Sequence, residues 1–145
     1  MSSNSWIVIA ALLGGLSVAA GAFAAHGLDD FFAKKYGQSP ARQIAGVEIP
    51  ASQKYLNDFK TAAEYQMYHA LALLGVGLLL QGRSSGLLQV AGWSFLLGIL
   101  IFSGCLYALT LTGLRWLGAI VPIGGVLFLV GWGALAAAAF SSPRT

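Results

Sequence analysis

Charge is scarce in this chain: Lys and Arg number 8, Asp and Glu 5, and together they are 9% of 145 residues. A soluble domain carries roughly a quarter charged residues. This composition therefore cannot build a water-facing surface, and the bilayer is the better solvent. Cysteine is limited to Cys105, which excludes an intramolecular disulfide and any CxxC metal or redox motif. In the setting FSGCLY it reads as a small buried residue. Histidine occurs twice, in no HxxH or HxxxH spacing. No nucleophile elbow, phosphate-binding loop or paired-carboxylate site is present, and the glycine-rich stretches lack the strand-to-helix context of nucleotide motifs. Catalysis is the weaker functional class, and no cofactor is expected. The basic residues are few and lie in loops beside apolar segments. Anionic lipid headgroups suit the net charge of +3 better than nucleic acid does.

Long apolar runs fill the chain instead. Hydrophobic residues make up 57%, and a spanning helix needs about 20 residues, so four spans and their connections exhaust the length. The expectation is a single domain over 1–145, an all-α membrane protein built as a four-helix transmembrane bundle. The spans fall at about 6–25, 62–80, 87–111 and 114–140, with a long polar extramembrane loop over 28–61. Ala22-Phe23-Ala24 resembles a signal-peptide cleavage pattern. No Lys or Arg precedes the first run and glycines interrupt it, so it reads as a retained helix. In the loop, Asp29 and Asp30 cap a short helix ended by Gly37, and Pro40 and Pro50 bracket irregular chain. Tyr55, Leu56, Phe59, Ala62 and Ala63 then recur at helical spacing, which starts the second helix near Ser52. Gly113 punctuates the third span, and Pro122 is expected to kink the fourth.

Small residues suggest where helices approach each other. Ala10, Gly14, Ser17, Gly21 and Ala25 form one stripe on the first span. Gly104, Gly118, Gly124, Gly125, Gly131 and Gly133 lie in the third and fourth. These stripes serve the bundle, a second copy of the chain, or another membrane subunit. Counting Lys and Arg orients the bundle. Lys34, Lys35, Arg42, Lys54, Lys60 and Arg115 fall on one side, Arg83 and Arg144 on the other. That balance puts the loop in the cytoplasm and both termini outside, in a bacterial cytoplasmic (inner) membrane.

Polar groups cluster at one end of the spans. On the second helix, Glu64 and His69 point about 140° apart, whereas Gln66 and His69 lie about 60° apart. Ala62, Gln66, His69 and Leu73 share a face expected to look into the bundle. Ser103, Tyr107 and Thr110 share a face of the third helix. His26, Gln66, His69, Ser103 and Tyr107 are the candidate site. As a structural network they fix helix register, worth about 0.6 kcal/mol per interhelical bond. His26 and His69 with Asp29, Asp30 or Glu64 approach the three or four ligands a metal needs. A proton relay uses the same groups. Lys34, Lys35, Lys60 and Arg115 are candidates for headgroup contact.

Four blocks, GAFAAHGL at 21–28, EYQMYHALALLG at 64–75, FSGCLYALTLTG at 102–113 and VPIGGVLFLVGW at 121–132, resemble the domain-of-unknown-function 423 family across almost the whole chain. The family comprises small membrane proteins of bacterial inner membranes, with mitochondrial relatives. The resemblance marks Gly21, His26, Tyr65, Gln66, His69, Ser103, Gly104, Tyr107, Pro122, Gly124, Gly125, Gly131 and Trp132. This chain departs from the pattern at Ala24, Cys105 and Val121, and its 28–61 loop is longer than usual. The resemblance implies a fold and no activity. The expected function is a non-catalytic accessory or assembly subunit of a larger membrane complex, or a binder of lipid-like molecules. The alternative is metal or proton handling at His26 and His69.

Overall fold

The computed structural model describes residues 1–141. Helix α1 spans Ser3–His26 and begins where the Ser2 hydroxyl accepts from the Ser5 N–H at 3.2 Å. Gly27 separates it from α2, Leu28–Tyr36. Asp29 and Asp30 occupy the first turn of α2 rather than capping it, because the helix opens at Leu28, ahead of both acids. Acids in the first turn with Lys34 and Lys35 in the last complement the helix dipole. Leu28, Phe32 and Tyr36, four residues apart, form the buried face.

The chain expected to be irregular between Pro40 and Pro50 is a β-hairpin, so the fold is mostly helical rather than all-α. Strand β1, Arg42–Ile44, pairs antiparallel with β2, Val47–Ile49, in the register Arg42 to Ile49 and Ile44 to Val47. Ala45 and Gly46 make the two-residue turn with φ of 50° and 81°. Positive φ at both turn positions matches the twist of a tight hairpin, and Gly46 adopts it freely while Ala45 is strained.

Helix α3 follows Pro50 directly and runs unbroken from Ala51 to Leu79, about 43 Å. Helix α4, Gly86–Thr112, starts at the Ser85 cap and ends at Gly113, whose φ of 85° is the left-handed helix stop. A 3-10 turn, Arg115–Ala119, leads into α5, Val121–Phe140. Pro122 lies in the first turn of α5, where a missing N–H breaks no helical bond. The interruption expected at Pro122 therefore falls before it, and the proline begins a helix instead of kinking one.

Among the described residues, three segments are long and apolar enough to cross a membrane: Ser3–His26, Gly86–Thr112 and Arg115–Phe140. The 62–80 half of α3 is not among them, because Glu64, Gln66 and His69 dilute its apolar character. Helix α3 is instead the one most enclosed, packing against α1 on one side and α4 on the other, and α5 packs on α4. The outward residues of the apolar helices are large and hydrophobic, among them Leu12, Leu16, Phe23, Leu100 and Leu129. That pattern fits lipid rather than water as the surrounding solvent.

The seam between α4 and α5 is the tightest. A Cβ at Gly98 would lie 2.5 Å from the Phe128 ring, one at Gly124 2.5 Å from the Phe102 backbone nitrogen, and one at Gly131 2.5 Å from the Phe95 ring. Two phenylalanine rings and the backbone of Phe102 thus enter notches that only glycine leaves open. Trp6 fills a similar notch at Gly92, and Ile7 one at Gly77. Of the α1 stripe, Ala10 and Ser17 are buried, whereas Ala25 is exposed and its neighbour Ala24 is buried instead. Gly14 is in ordinary contact with Met67. Gly21, Gly104, Gly125 and Gly133 face open space, so close approach within this chain does not account for them.

Candidate functional site

On α3, Gln66 and His69 share a buried face with Ala62 and Leu73, whereas Glu64 is exposed. Gln66 is used at both ends of its amide. Its Nε2 donates to the Leu13 carbonyl of α1 at 2.8 Å, and its Oε1 accepts from the Tyr107 hydroxyl of α4 at 3.1 Å. One turn earlier, the Ser17 hydroxyl donates to the Ala63 carbonyl at 2.7 Å. These bonds tie α1, α3 and α4 together where water is not available to satisfy the same groups.

His69 belongs to a different cluster. Its Nδ1 is 2.8 Å from the Tyr65 carbonyl one turn back, and only a protonated nitrogen can bond there. Nε2 is then the lone-pair nitrogen, and the Trp132 indole N–H donates to it at 3.3 Å. The ring stacks face to face on Phe128, with centroids 3.4 Å apart. Tyr65, Phe95 and Phe102 complete an aromatic group shared by α3, α4 and α5. The single cluster expected from the sequence is therefore divided, with Gln66 and Tyr107 serving the α1–α4 side and His69 serving α5.

Ser103 is buried and its hydroxyl has no hydrogen-bond partner among the described residues. His26 is exposed at the end of α1, beside a surface cleft formed with Ala22, Phe23 and Gly27. It is not brought to His69, both of whose ring nitrogens are engaged. Among the described residues no three His, Cys, Asp or Glu side chains are grouped to hold a metal ion. Lys34 and Lys60 are exposed. Lys35 has a structural use: its ammonium donates to the Leu111 carbonyl at 2.5 Å, and the neighbouring Tyr36 hydroxyl donates to the Thr110 carbonyl at 2.8 Å. Together they satisfy carbonyls that the end of α4 leaves open. Burial, aided by nearby Tyr55, raises the Tyr36 phenol above the usual tyrosine range.

Two open grooves run along the helices at the level of these groups. One, about 370 Å³, lies between α1 and α4 and has Gln66 and Tyr107 in its lining with Leu13, Leu16 and Leu100. The other, about 710 Å³, lies between α3 and α5 and is lined by Tyr65, Tyr68, His69, Phe102, Leu129 and Trp132. A concave, mostly aromatic surface with a few fixed polar groups is the usual make-up of a small-molecule site. Phe128 and Trp132 as partners of His69, and Gln89 as the acceptor of the Trp6 indole N–H at 3.2 Å, are absent from the sequence reading. They are cross-helix pairings, which a single sequence does not display.

A family model described as "Protein of unknown function (DUF423)" matches residues 20–125. A UPF0382 membrane protein of Staphylococcus epidermidis is 43% identical over 127 residues, covering 88% of each chain. The UPF0382 membrane protein YwdK of Bacillus subtilis is 39% identical over 128 residues, 88% of this chain and 89% of its own. A UPF0382 membrane protein of Haemophilus influenzae is 39% identical over 140 residues, 96% of each chain. No solved structure matches. The model covers most of the chain and these relatives are aligned nearly end to end, so this chain belongs to the DUF423 family, whose relatives here are named UPF0382 membrane proteins.

Proposed function

We propose that this protein is a non-catalytic, four-span membrane protein that holds a lipid-like amphiphile in the groove between α3 and α5. The observation that carries this reading is the groove itself: about 710 Å³, aromatic, and opening outward between two helices. His69 is already committed to Tyr65 and Trp132, and the Tyr65 and Tyr68 hydroxyls are the other side-chain polar groups on a surface that is otherwise apolar and suited to the chain or ring of an amphiphile. The inward bonds of Gln66 and His69 also support α3 as the fourth span, because a polar group satisfied within the bundle can lie at membrane depth.

The orientation follows the positive charges. The 28–61 region, here α2, the hairpin and the start of α3, lies in the cytoplasm of a bacterium, with both termini across the inner membrane. Arg83 is the opposing charge; Arg144, the other one counted, is outside the described residues. A reporter fused to the C-terminus and active only in the cytoplasm stays dark on this topology, and a bright one overturns it. For the groove, a lipid with a photoreactive acyl chain is expected to label peptides containing Tyr68, Val126 or Leu129 saturably. Labelling that rises linearly with lipid and spreads over all outward helix faces would sink the idea.

A second reading, an accessory or assembly subunit, is supported by Gly21, Gly104 and Gly133, which have open space above them where another helix fits closely. Extraction in mild detergent decides between them: a stoichiometric second polypeptide favours the accessory role, and a chain carrying only lipid favours the binder.

A further inference from the structure

We infer that Arg42, Lys54 and Arg115 form a binding site for the phosphate group of an anionic lipid, set above the α3–α5 groove. The three cations come from β1, α3 and the 3-10 turn, far apart in sequence, yet they line one cleft of about 260 Å³ with Tyr55, Leu109 and Gly118. Lys54 is paired with Asp58 one turn along α3 and lies over the Tyr55 ring. Arg42 and Arg115 have no ion pair or hydrogen bond among the described residues. Glu48 does not neutralise them across the hairpin. It stands opposite Gln43, while Arg42 stands opposite Ile49, and neighbouring positions on a strand face opposite sides. Among the described residues, Asp58 is the acid that pairs with one of the three cations, and no acid lines the cleft itself. Guanidinium groups suit phosphate oxygens, which they bind in a bidentate fork.

Register connects this cleft to the groove below. Lys54 and Tyr65 are 11 positions apart, which on a helix is about 20° of rotation and about 16 Å of rise. They share one face of α3, Lys54 at the cleft and Tyr65 in the groove. Leu109 and Phe102 of α4 are seven positions apart and repeat the arrangement, Leu109 at the cleft and Phe102 in the groove. Arg115 also opens the 3-10 turn that leads into α5, at one end of the apolar segment Arg115–Phe140. A cationic cleft over an apolar groove, on one side of the molecule, matches an amphiphile with a phosphate head. Long basic side chains extend along the apolar surface to reach such a head. This inference rests on the groove being a lipid site, and it adds the chemistry of the headgroup.

The test compares two lipids that differ only in phosphate. Purified full-length protein in detergent is offered dioleoyl phosphatidic acid or dioleoylglycerol, and retained lipid is read by native mass spectrometry for wild type and for R42Q/R115Q. Wild type is expected to retain the phosphate-bearing lipid about tenfold better. In the double variant that preference falls to near parity while dioleoylglycerol retention is unchanged, which also reports an intact fold. A double variant that keeps the preference overturns the phosphate site and leaves the groove standing. Wild type that retains neither lipid overturns the groove, and with it the headgroup assignment. Millimolar inorganic phosphate separates the sources. If it leaves the preference intact, the headgroup is the ligand; if it abolishes the preference, the same three cations bind free phosphate and the lipid assignment falls.

Discussion

Glycine positions carry opposite meanings along α5, and the difference is in what stands above each one. At Gly124 an added methyl runs into the backbone nitrogen of Phe102 at 2.5 Å, and backbone cannot swing aside. Gly124→Ala is expected to lower unfolding stability in detergent by about 1–3 kcal/mol, the usual range for overpacking. Gly125→Ala, one residue on and facing open space, is expected to stay within about 0.5 kcal/mol. Parallel thermal melts of the two variants check this contrast. Gln66 offers a second test. Gln66→Leu removes two interhelical bonds and strands the Tyr107 hydroxyl, while the Leu13 carbonyl keeps its backbone bond within α1. At about 0.6 kcal/mol per bond the loss is about 1 kcal/mol, and the Tyr107→Phe variant is expected to lose less because it removes only the bond to the Gln66 oxygen. The inward face of Ala62, Gln66, His69 and Leu73 was legible from helical periodicity. Which neighbour each residue meets was not, because that depends on how helices far apart in sequence are set side by side.

At the scale of elements, the region expected to be a polar loop is a built cap. Leu28, Phe32 and Tyr36 of α2 pack on Ala51, Tyr55, Leu56 and Phe59 of α3 and on Leu109 of α4, and the Lys35 and Tyr36 side chains close the end of α4. Tyr36 couples this closure to alkaline pH. Burial favours the neutral phenol and raises its pKa in the folded state. Its contribution is fully present below the ordinary tyrosine range near 10 and is lost as pH rises through the raised value. Tyr36→Phe is expected to cost about 1 kcal/mol near neutral pH and to flatten the alkaline loss. Hydrogen exchange at 110–113, followed across that range, reads both effects. The long helices were legible because apolar runs, Ser and Gly caps and Pro50 mark their ends. The hairpin was not, since its strands are three residues each and its turn is Ala-Gly, weaker than the usual Asn-Gly signal. The start of α5 was misread because Pro122 signals a kink inside a helix and an opening at its first turn with the same residue.

For the whole molecule, two features define the account: outward faces suited to lipid, and an α3 whose Gln66 and His69 side chains are turned inward and bonded. Helix α3 is the least apolar of the long helices and the most enclosed. It builds the polar ties to α1 and α4 on one side and the aromatic groove with α5 on the other. Metal handling by His26 and His69 has no shared site in this arrangement. Elemental analysis is therefore expected to find no stoichiometric metal that His69→Ala removes, and a one-to-one metal lost in that variant would reverse the assignment. The central claim is that the α3–α5 groove holds a lipid-like molecule, and filling the groove tests it most directly. Gly125 lines the groove and has open space over its Cβ position, so Gly125→Trp occupies the volume without disturbing the α4–α5 seam. Native mass spectrometry of protein extracted in mild detergent is expected to show one retained lipid-mass adduct on wild type and its loss from Gly125→Trp, with both variants equally folded. An adduct retained equally by the two, or none on wild type, would contradict the account.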